Sequence, residues 1–331
     1  MLQHNKLAIF ALLAALPLAL LVALASGPVS VDLVDAVSQG WYSQSSDAVI
    51  FWQLRLPRAI LAILVGAALG MGGAAMQGML RNPLAEPALL GVSSGAALAA
   101  VILLYYGAAW KSGWLLPAIA IAGAFGAVAA VWLLAGRGAS AGRLVLAGVA
   151  INAFLSALIA LALNYAPSMF AMQEVVFWLM GSLANRGWDQ LLLALPFISV
   201  GVICLFLARN YLRALSLGED TAASLGFHSR IFPLLILFGI ASSVGAAVAV
   251  AGTIGFVGLV VPHLMRPLVH QDPAQLLWIS GAAGALLLLM ADILVINFVG
   301  AQELRIGAVT AFLGAPFFFW LIVSARRGQW L

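Results

Sequence analysis

The chain reads as long apolar runs broken by short polar stretches. Ten runs begin near Leu7, Ala59, Val92, Leu115, Leu144, Leu191, Ile231, Thr253, Leu276 and Ile306. Strands that cross an outer membrane are about 9–11 residues long and alternate in polarity. These runs do not alternate, and the pattern predicts helices on the scale of the roughly 20 residues a bilayer core requires. The run from Thr253 to Leu264 is the exception. It is too short for a straight span and predicts a broken or tilted segment. The first run, Leu7 to Ala25, ends on Ala23-Leu24-Ala25, which resembles a small-residue cleavage site. Signal sequences carry an apolar core of about 7–15 residues; this run is longer, so a retained helix is expected.

Composition removes the soluble alternatives. Of 331 residues, 64% are hydrophobic and 8% charged, and the mean hydropathy is +1.12. Soluble domains run at about 45–50% apolar and about 25% charged. The expected fold is therefore an all-α integral membrane protein, a single transmembrane domain over residues 1–331. The net charge of +4 is not a nucleic-acid footprint, because basic residues in such a chain report orientation. With the amino terminus inside and sides alternating, Lys6, Arg81, Arg137, Arg143, Arg209, Arg213, Arg230, Arg266, Arg326 and Arg327 fall inside. Arg55, Arg58, Lys111, Arg186 and Arg305 fall outside, a bias of ten to five with both termini cytoplasmic. The lone Cys204 has no partner for an intrachain disulfide.

An internal repeat accompanies the ten runs. Val65-Gly66-Ala67-Ala68 followed by Gly73 recurs as Val244-Gly245-Ala246-Ala247 followed by Gly252. The two copies run in opposite directions, as in the inverted repeats of many transport folds. Gly66, Gly70 and Ala74, with Gly252, Gly255 and Gly258, are expected to let helices approach closely.

Several chemistries are missing. A nucleotide-binding P-loop needs lysine between glycine and Ser or Thr; here Lys6 follows Asn5 and Lys111 follows Trp110. ATP, if used, must be bound elsewhere. His4, His228, His263 and His270 form no i,i+4 pair, and no metal or nucleophile motif occurs. An intramembrane enzyme thus lacks a catalytic cluster. Buried ionisable groups mark ion pathways, but Asp292 is the clearest deep carboxylate, while Glu86 and Glu303 fall at span edges. That inventory is poor for an ion-coupled transporter, and Asp292 is expected to be a satisfied structural group near the outer face. A passive channel would leave the polar segments below unexplained.

Two polar segments stand out. Arg209 to Arg230 holds a short helix, Glu219-Asp220-Thr221-Ala222-Ala223-Ser224-Leu225, stopped by Gly226 at its C′ position. Its acidic residues suit a helix amino terminus, and a structured helix there suits a cytosolic partner. On the outer side, Arg55 and Arg58 bracket Leu56-Pro57, a spacing expected to present two guanidinium forks on a proline-fixed turn.

The order of these elements is similar to a known family. Leu54-Arg55-Leu56-Pro57-Arg58, Val65 to Leu69, Gln77, Asn82-Pro83-Leu84-Ala85-Glu86-Pro87 and Leu90 to Gly95 come first. Leu146 to Ala150, Leu217-Gly218-Glu219 through Leu225-Gly226, Gly255 through His263, Ala291-Asp292, Gly307 and Gly314-Ala315-Pro316 follow. Together they resemble the permease subunits of bacterial ABC importers for iron chelates, heme and vitamin B12, over almost the whole chain, and most of all the heme-uptake branch.

The resemblance implies a type II importer fold with ten helices and an inverted repeat. It implies a homodimer in the inner membrane, two copies of a cytosolic ATPase that carries ATP and Mg, and a periplasmic binding protein; no cofactor is expected on this chain. Arg55 and Arg58 match docking positions for the binding protein. The vitamin B12 permease has a third arginine where Ile296 stands here; Arg305 is the candidate replacement. Leu217, Gly218, Glu219, Asp220, Ala222, Ala223, Leu225 and Gly226 match the coupling helix for the ATPase. Ser140-Ala141-Gly142-Arg143 matches a cytoplasmic gate, with smaller side chains at its two middle positions. The outer segment Tyr165 to Trp188 is rich in methionine and aromatic residues. With Asn152, Tyr165, Met169, Phe170 and Arg186 along the path, it suits a flat macrocycle such as heme, Arg186 facing its propionates. Ferric siderophores and vitamin B12 are the alternatives.

Overall fold

The computed structural model describes residues 2–105, 114–136, 138–298 and 304–326, and among them every regular element is helical. Lys111, Arg137, Glu303 and Arg327 lie outside the described residues. The chain opens with α1 (Leu2–Ala25) and two short helices, α2 (Leu33–Gln39) and α3 (Ser46–Val49). Asp32 and Ser45 cap α2 and α3 by accepting from backbone N–H groups. A π-helical turn, Ile50–Arg55, leads directly into α4 (Leu56–Leu80), so Leu56-Pro57 is not a turn. Pro57 sits where the π-helical turn passes into α4 and has no N–H to donate, and the Trp52 carbonyl five residues back accepts instead from the Trp188 indole N–H at 2.8 Å.

Then come α5 (Val92–Tyr105), α6 (Leu115–Ala135), α7 (Ala141–Asn164), α8 (Met169–Leu179) and α9 (Trp188–Leu207). The short α10 (Arg209–Leu215) and α11 (Glu219–Ser224) precede α12 (Ile231–Ala251), α13 (Val257–Met265), α14 (Pro273–Asn297) and α15 (Ile306–Arg326). Each of the ten predicted runs is a helix. Among the described residues seven helical segments are long and apolar enough to cross a membrane, with shorter apolar helices in α5, α8, α13 and α15. The eighth run is indeed broken: residues 252–256 are non-helical and α13 spans nine residues.

The inverted repeat is visible in the packing. Long α4 is followed by a stretch with a single 3₁₀ turn, Pro87–Leu90, and short α5; long α12 is followed by non-helical 252–256 and short α13. Each long helix packs on the other copy's short one, α4 on α13 and α12 on α5. Glycine permits the closest crossings. A Cβ on Gly73 would strike the Gly258 backbone, and one on Gly66 or Gly70 would strike α14 at Gly284 or Ser280. Gly255 differs from its sequence reading, since a Cβ there would meet nothing.

Burial ranks the helices. In α4 and α12, 78% and 83% of the spanning window is buried, against 17% in α7. The centre is thus α4, α12 and α14, with α7 on the outside. One end of the bundle carries α2 and α3; the other carries α10 and α11, together with Arg81, Arg143, Arg209, Arg213, Arg230 and Arg266.

Candidate functional site

At the α2–α3 end, a crevice of about 320 Å³ lies between α1, α4 and α14, walled by Val29, Leu54, Arg55, Arg58, Asp292 and Ile296. Neither arginine presents a free fork. Arg55 donates to the carbonyls of Leu24 (2.8 Å) and Ala25 (3.0 Å), and to that of Val29. The last carbonyls of α1 have no helical partner, and Arg55 satisfies them. Arg58 grips Asp292 in a bidentate pair, Nε to Oδ2 at 2.9 Å and a terminal nitrogen to Oδ1 at 2.8 Å. The carboxylate is 3% exposed and the arginine 22%. Asp292 is therefore the satisfied structural group expected, and its partner, 234 residues away, is one the sequence reading did not find. Ile296, at the position of the missing third arginine, lines the same crevice. Arg305 stands apart from these, its guanidinium 4.6 Å from the centre of the Phe177 ring.

At the opposite end, α11 forms as the sequence predicts. Gly226, at φ +86, closes it with a Schellman pair: Phe227 N–H to Ala222 C=O at 3.1 Å and Gly226 N–H to Ala223 C=O at 3.0 Å. Leu217 and Leu225 are 69% and 61% exposed, an apolar surface on an otherwise charged end. Gly218 at φ +118 starts the helix, Asp220 and Ala223 face solvent, and Ala222 is buried. Glu219 accepts from Arg81, tying α11 to the end of α4 at 3.0 Å. Arg213 holds Asp272, the cap of α14, through bonds of 3.0 and 2.6 Å. Burial pushes the Asp272 carboxyl up, but its bonds from Arg213 and Ala274 outweigh that and hold it below the ordinary value.

A cavity of about 200 Å³ joins α11 to the start of α7, with Ala141 and Leu144 on one wall and Glu219, Ala222, Ala223 and Phe227 on another. Ser140 is the N-cap of α7, Gly142 is exposed, and Arg143 donates to the Gly138 carbonyl at 3.2 Å. The two segments read separately from sequence are thus physical neighbours.

The expected path residues lie outside the two cavities described above. Tyr165, Met169 and Phe170 are exposed, and neither cavity above includes them or Arg186. Arg186 lies in the loop before α9 with its Nε buried and unbonded, and burial lowers its pKa. Asn152 accepts from Ser94 at 2.5 Å, linking α7 to α5. Ser156, one turn on, continues its face and is exposed. Glu86, in the stretch between α4 and α5, lines a cavity with Leu69 of α4 and Val244 of α12. Among the described residues no group of three His, Cys, Asp or Glu is placed to hold a metal ion.

A bundle of membrane-crossing helices with a reciprocal inverted repeat, a structured helix at one end and a charged crevice at the other defines a transport permease. The chain belongs to the FecCD transport family, whose model matches residues 12–324. It is 42% identical over 284 residues to the uncharacterized ABC transporter permease protein YvrB of Bacillus subtilis, covering 84% of this chain and 80% of that one. It is 39% identical over 289 residues to the vitamin B12 import system permease protein BtuC of Citrobacter koseri, covering 87% and 86%. Its fold superposes with TM-score 0.85 and 31% identity on an inward-facing ABC transporter structure assigned to the metal-chelate type, covering 96% and 99%. The chain is a transport subunit of the ABC permease class and not an enzyme.

Proposed function

We propose that the chain is the inner-membrane permease of an ATP-driven importer for a metal-bearing macrocycle, with heme as the substrate. The observation that carries the importer reading is the match of family, fold and near-full coverage. On this reading the α10–α11 end is cytoplasmic, in keeping with its excess of arginine, and both termini lie on that side. Two copies of the chain enclose the path, and α11 seats in each of two ATPase subunits that hold ATP and Mg. The crevice at Arg55 and Arg58 lies on the periplasmic face, where a binding protein docks.

The geometry refines the docking role. Asp292 occupies one edge of the Arg58 guanidinium and leaves the remaining N–H groups for an incoming carboxylate. Arg305 is the third candidate. Transport is alternating access without chemistry on the substrate: ATPase closure moves α11, and the shared cavity passes that motion to the gate at Ser140–Arg143.

Heme rests on the exposed methionine and aromatic segment around α8 and on Arg186. Vitamin B12 is the second reading, favoured by the relatives named for it. The test is growth of an iron-starved Gram-negative host that lacks its own heme permease and retains outer-membrane uptake. It receives this chain with its ATPase and binding protein, and heme as sole iron source. Growth that disappears on inactivating the ATPase establishes heme import. No growth on heme, with all three proteins assembled and cobalamin uptake rescued in a permease-deficient host, moves the substrate to vitamin B12.

A further inference from the structure

At the α10–α11 end, the last turn of α9 and the first turns of α14 leave an open groove of about 340 Å³, walled by Phe206, Arg209, Asn210, Arg213, Gln275 and Trp278. The surface turns here from apolar to basic. Ile203, Phe206 and Leu207 are exposed on α9, and Arg209, Asn210 and Arg213 follow on α10. Trp278 lies five residues into α14, about 8 Å from its first residue, and is exposed. An exposed apolar wall that gives way to arginine beside an exposed tryptophan marks the level where a bilayer passes from acyl chains to headgroups. The groove also lies away from α7: α9 packs on α12 and α4, whereas α7 packs on α5 and α6.

The donors in the groove are open. The Arg209 guanidinium lies over the Phe206 ring, 3.9 Å from its centre. Stacking of this kind uses the face of the guanidinium and leaves its in-plane N–H groups for other partners. Among the described residues no carboxylate pairs with Arg209. The Asn210 amide and the Trp278 indole N–H likewise have no side-chain hydrogen bond among the described residues. In Arg213, Nε and one terminal nitrogen donate to Asp272, and the other terminal nitrogen stays open. Asp272 beside the groove is thereby neutralised, and the two arginines against it leave one net positive charge.

A phosphodiester carries one negative charge, and its paired oxygens match the guanidinium fork. We propose that this groove binds the headgroup of an anionic phospholipid from the leaflet at the α10–α11 end. Arg209 grips the phosphate, with Asn210 and the Trp278 N–H donating beside it, and the acyl chains lie along Ile203 and Leu207. A zwitterionic headgroup fits less well, because its ammonium meets a net positive charge. Basic pockets between membrane helices suit anionic headgroups for this reason. The lipid ties α10 to α14 and so steadies the segment that leads into α11. The inference holds whichever substrate the permease carries.

The test titrates the purified full chain in a neutral detergent with phosphatidylglycerol or phosphatidylcholine of the same acyl chains, and native mass spectrometry counts the lipids retained. The expected result is saturable binding of phosphatidylglycerol with an apparent Kd at least about tenfold below that of phosphatidylcholine. Arg209→Gln is expected to abolish that preference. Arg230→Gln, which removes an exposed charge from the same end outside the groove, is expected to keep it. The comparison of the two lipids on the wild-type chain does not depend on a variant folding, and equal affinity for both overturns the proposal. A preference that Arg209→Gln leaves unchanged, or that Arg230→Gln lowers equally, overturns it too, since the second is the mark of diffuse attraction to a basic end. Full displacement of the lipid by inorganic phosphate at constant ionic strength also overturns it, in favour of a site for free phosphate.

Discussion

At the residue scale, the Arg58–Asp292 pair shows how this chain places a charge near an apolar layer. The carboxylate is almost wholly buried and, among the described residues, is compensated by one guanidinium through three hydrogen bonds. Removing one partner of such a pair costs about 3–5 kcal/mol, because the other charge is left stranded, whereas replacing both with apolar residues of similar volume is close to neutral. Arg58→Ala is therefore expected to lower the thermal stability of the purified permease strongly, and the double change Arg58→Leu with Asp292→Leu to restore most of it. Circular dichroism melts in detergent check this; a double variant no better than Arg58→Ala would show that the pair is not the source of the loss. The sequence made Asp292 legible as a deep carboxylate, since it interrupts Met290-Ala291 and Ile293. It could not show the partner, because nothing local links residues 234 apart. Arg55 was misread for the same reason: the carbonyls it caps belong to a helix that ends thirty residues earlier.

At the element scale, local chemistry was the most reliable guide. Gly226 ends α11 where its left-handed conformation predicts, and each apolar run became a helix because a bilayer leaves the backbone no other way to satisfy itself. What periodicity could not convey is where a helix stops inside the layer. The stretch at 82–91 looks like an ordinary polar loop, yet Pro87 folds back against Gly72 and Gly258. That return depends on glycine in the neighbouring helices and not on the loop itself. The exposed leucines of the α10–α11 end belong to the same scale. Leu225 touches solvent and caps a helix whose fold does not require its side chain. Leu225→Asp is therefore expected to leave the permease folded and able to bind its binding protein, but to abolish co-purification of the ATPase. Retained assembly would place the ATPase contact elsewhere on this end.

At the scale of the whole molecule, the puzzle is α7. It is among the least buried of the long helices, and a span with 17% burial normally turns an apolar face to lipid. Yet Asn152 and Ser156 share one of its faces, one turn apart, and Ser156 is exposed. Polar side chains on a transmembrane helix face a partner or water in preference to lipid. The proposed dimer resolves the conflict by turning that face of α7 toward the axis, where two copies line the path. A single chain's sequence could indicate this only through the polar positions of that face, Asn152 and Ser156, because the second wall is supplied by another molecule. The consequence can be measured. In a Cys204→Ser background, Ser156→Cys is expected to form a dimer under a short bifunctional thiol reagent in native membranes, whereas Leu133→Cys, exposed on α6, is expected to remain monomeric. The reverse pattern would put α6 at the interface and leave the polar face of α7 to some other neighbour.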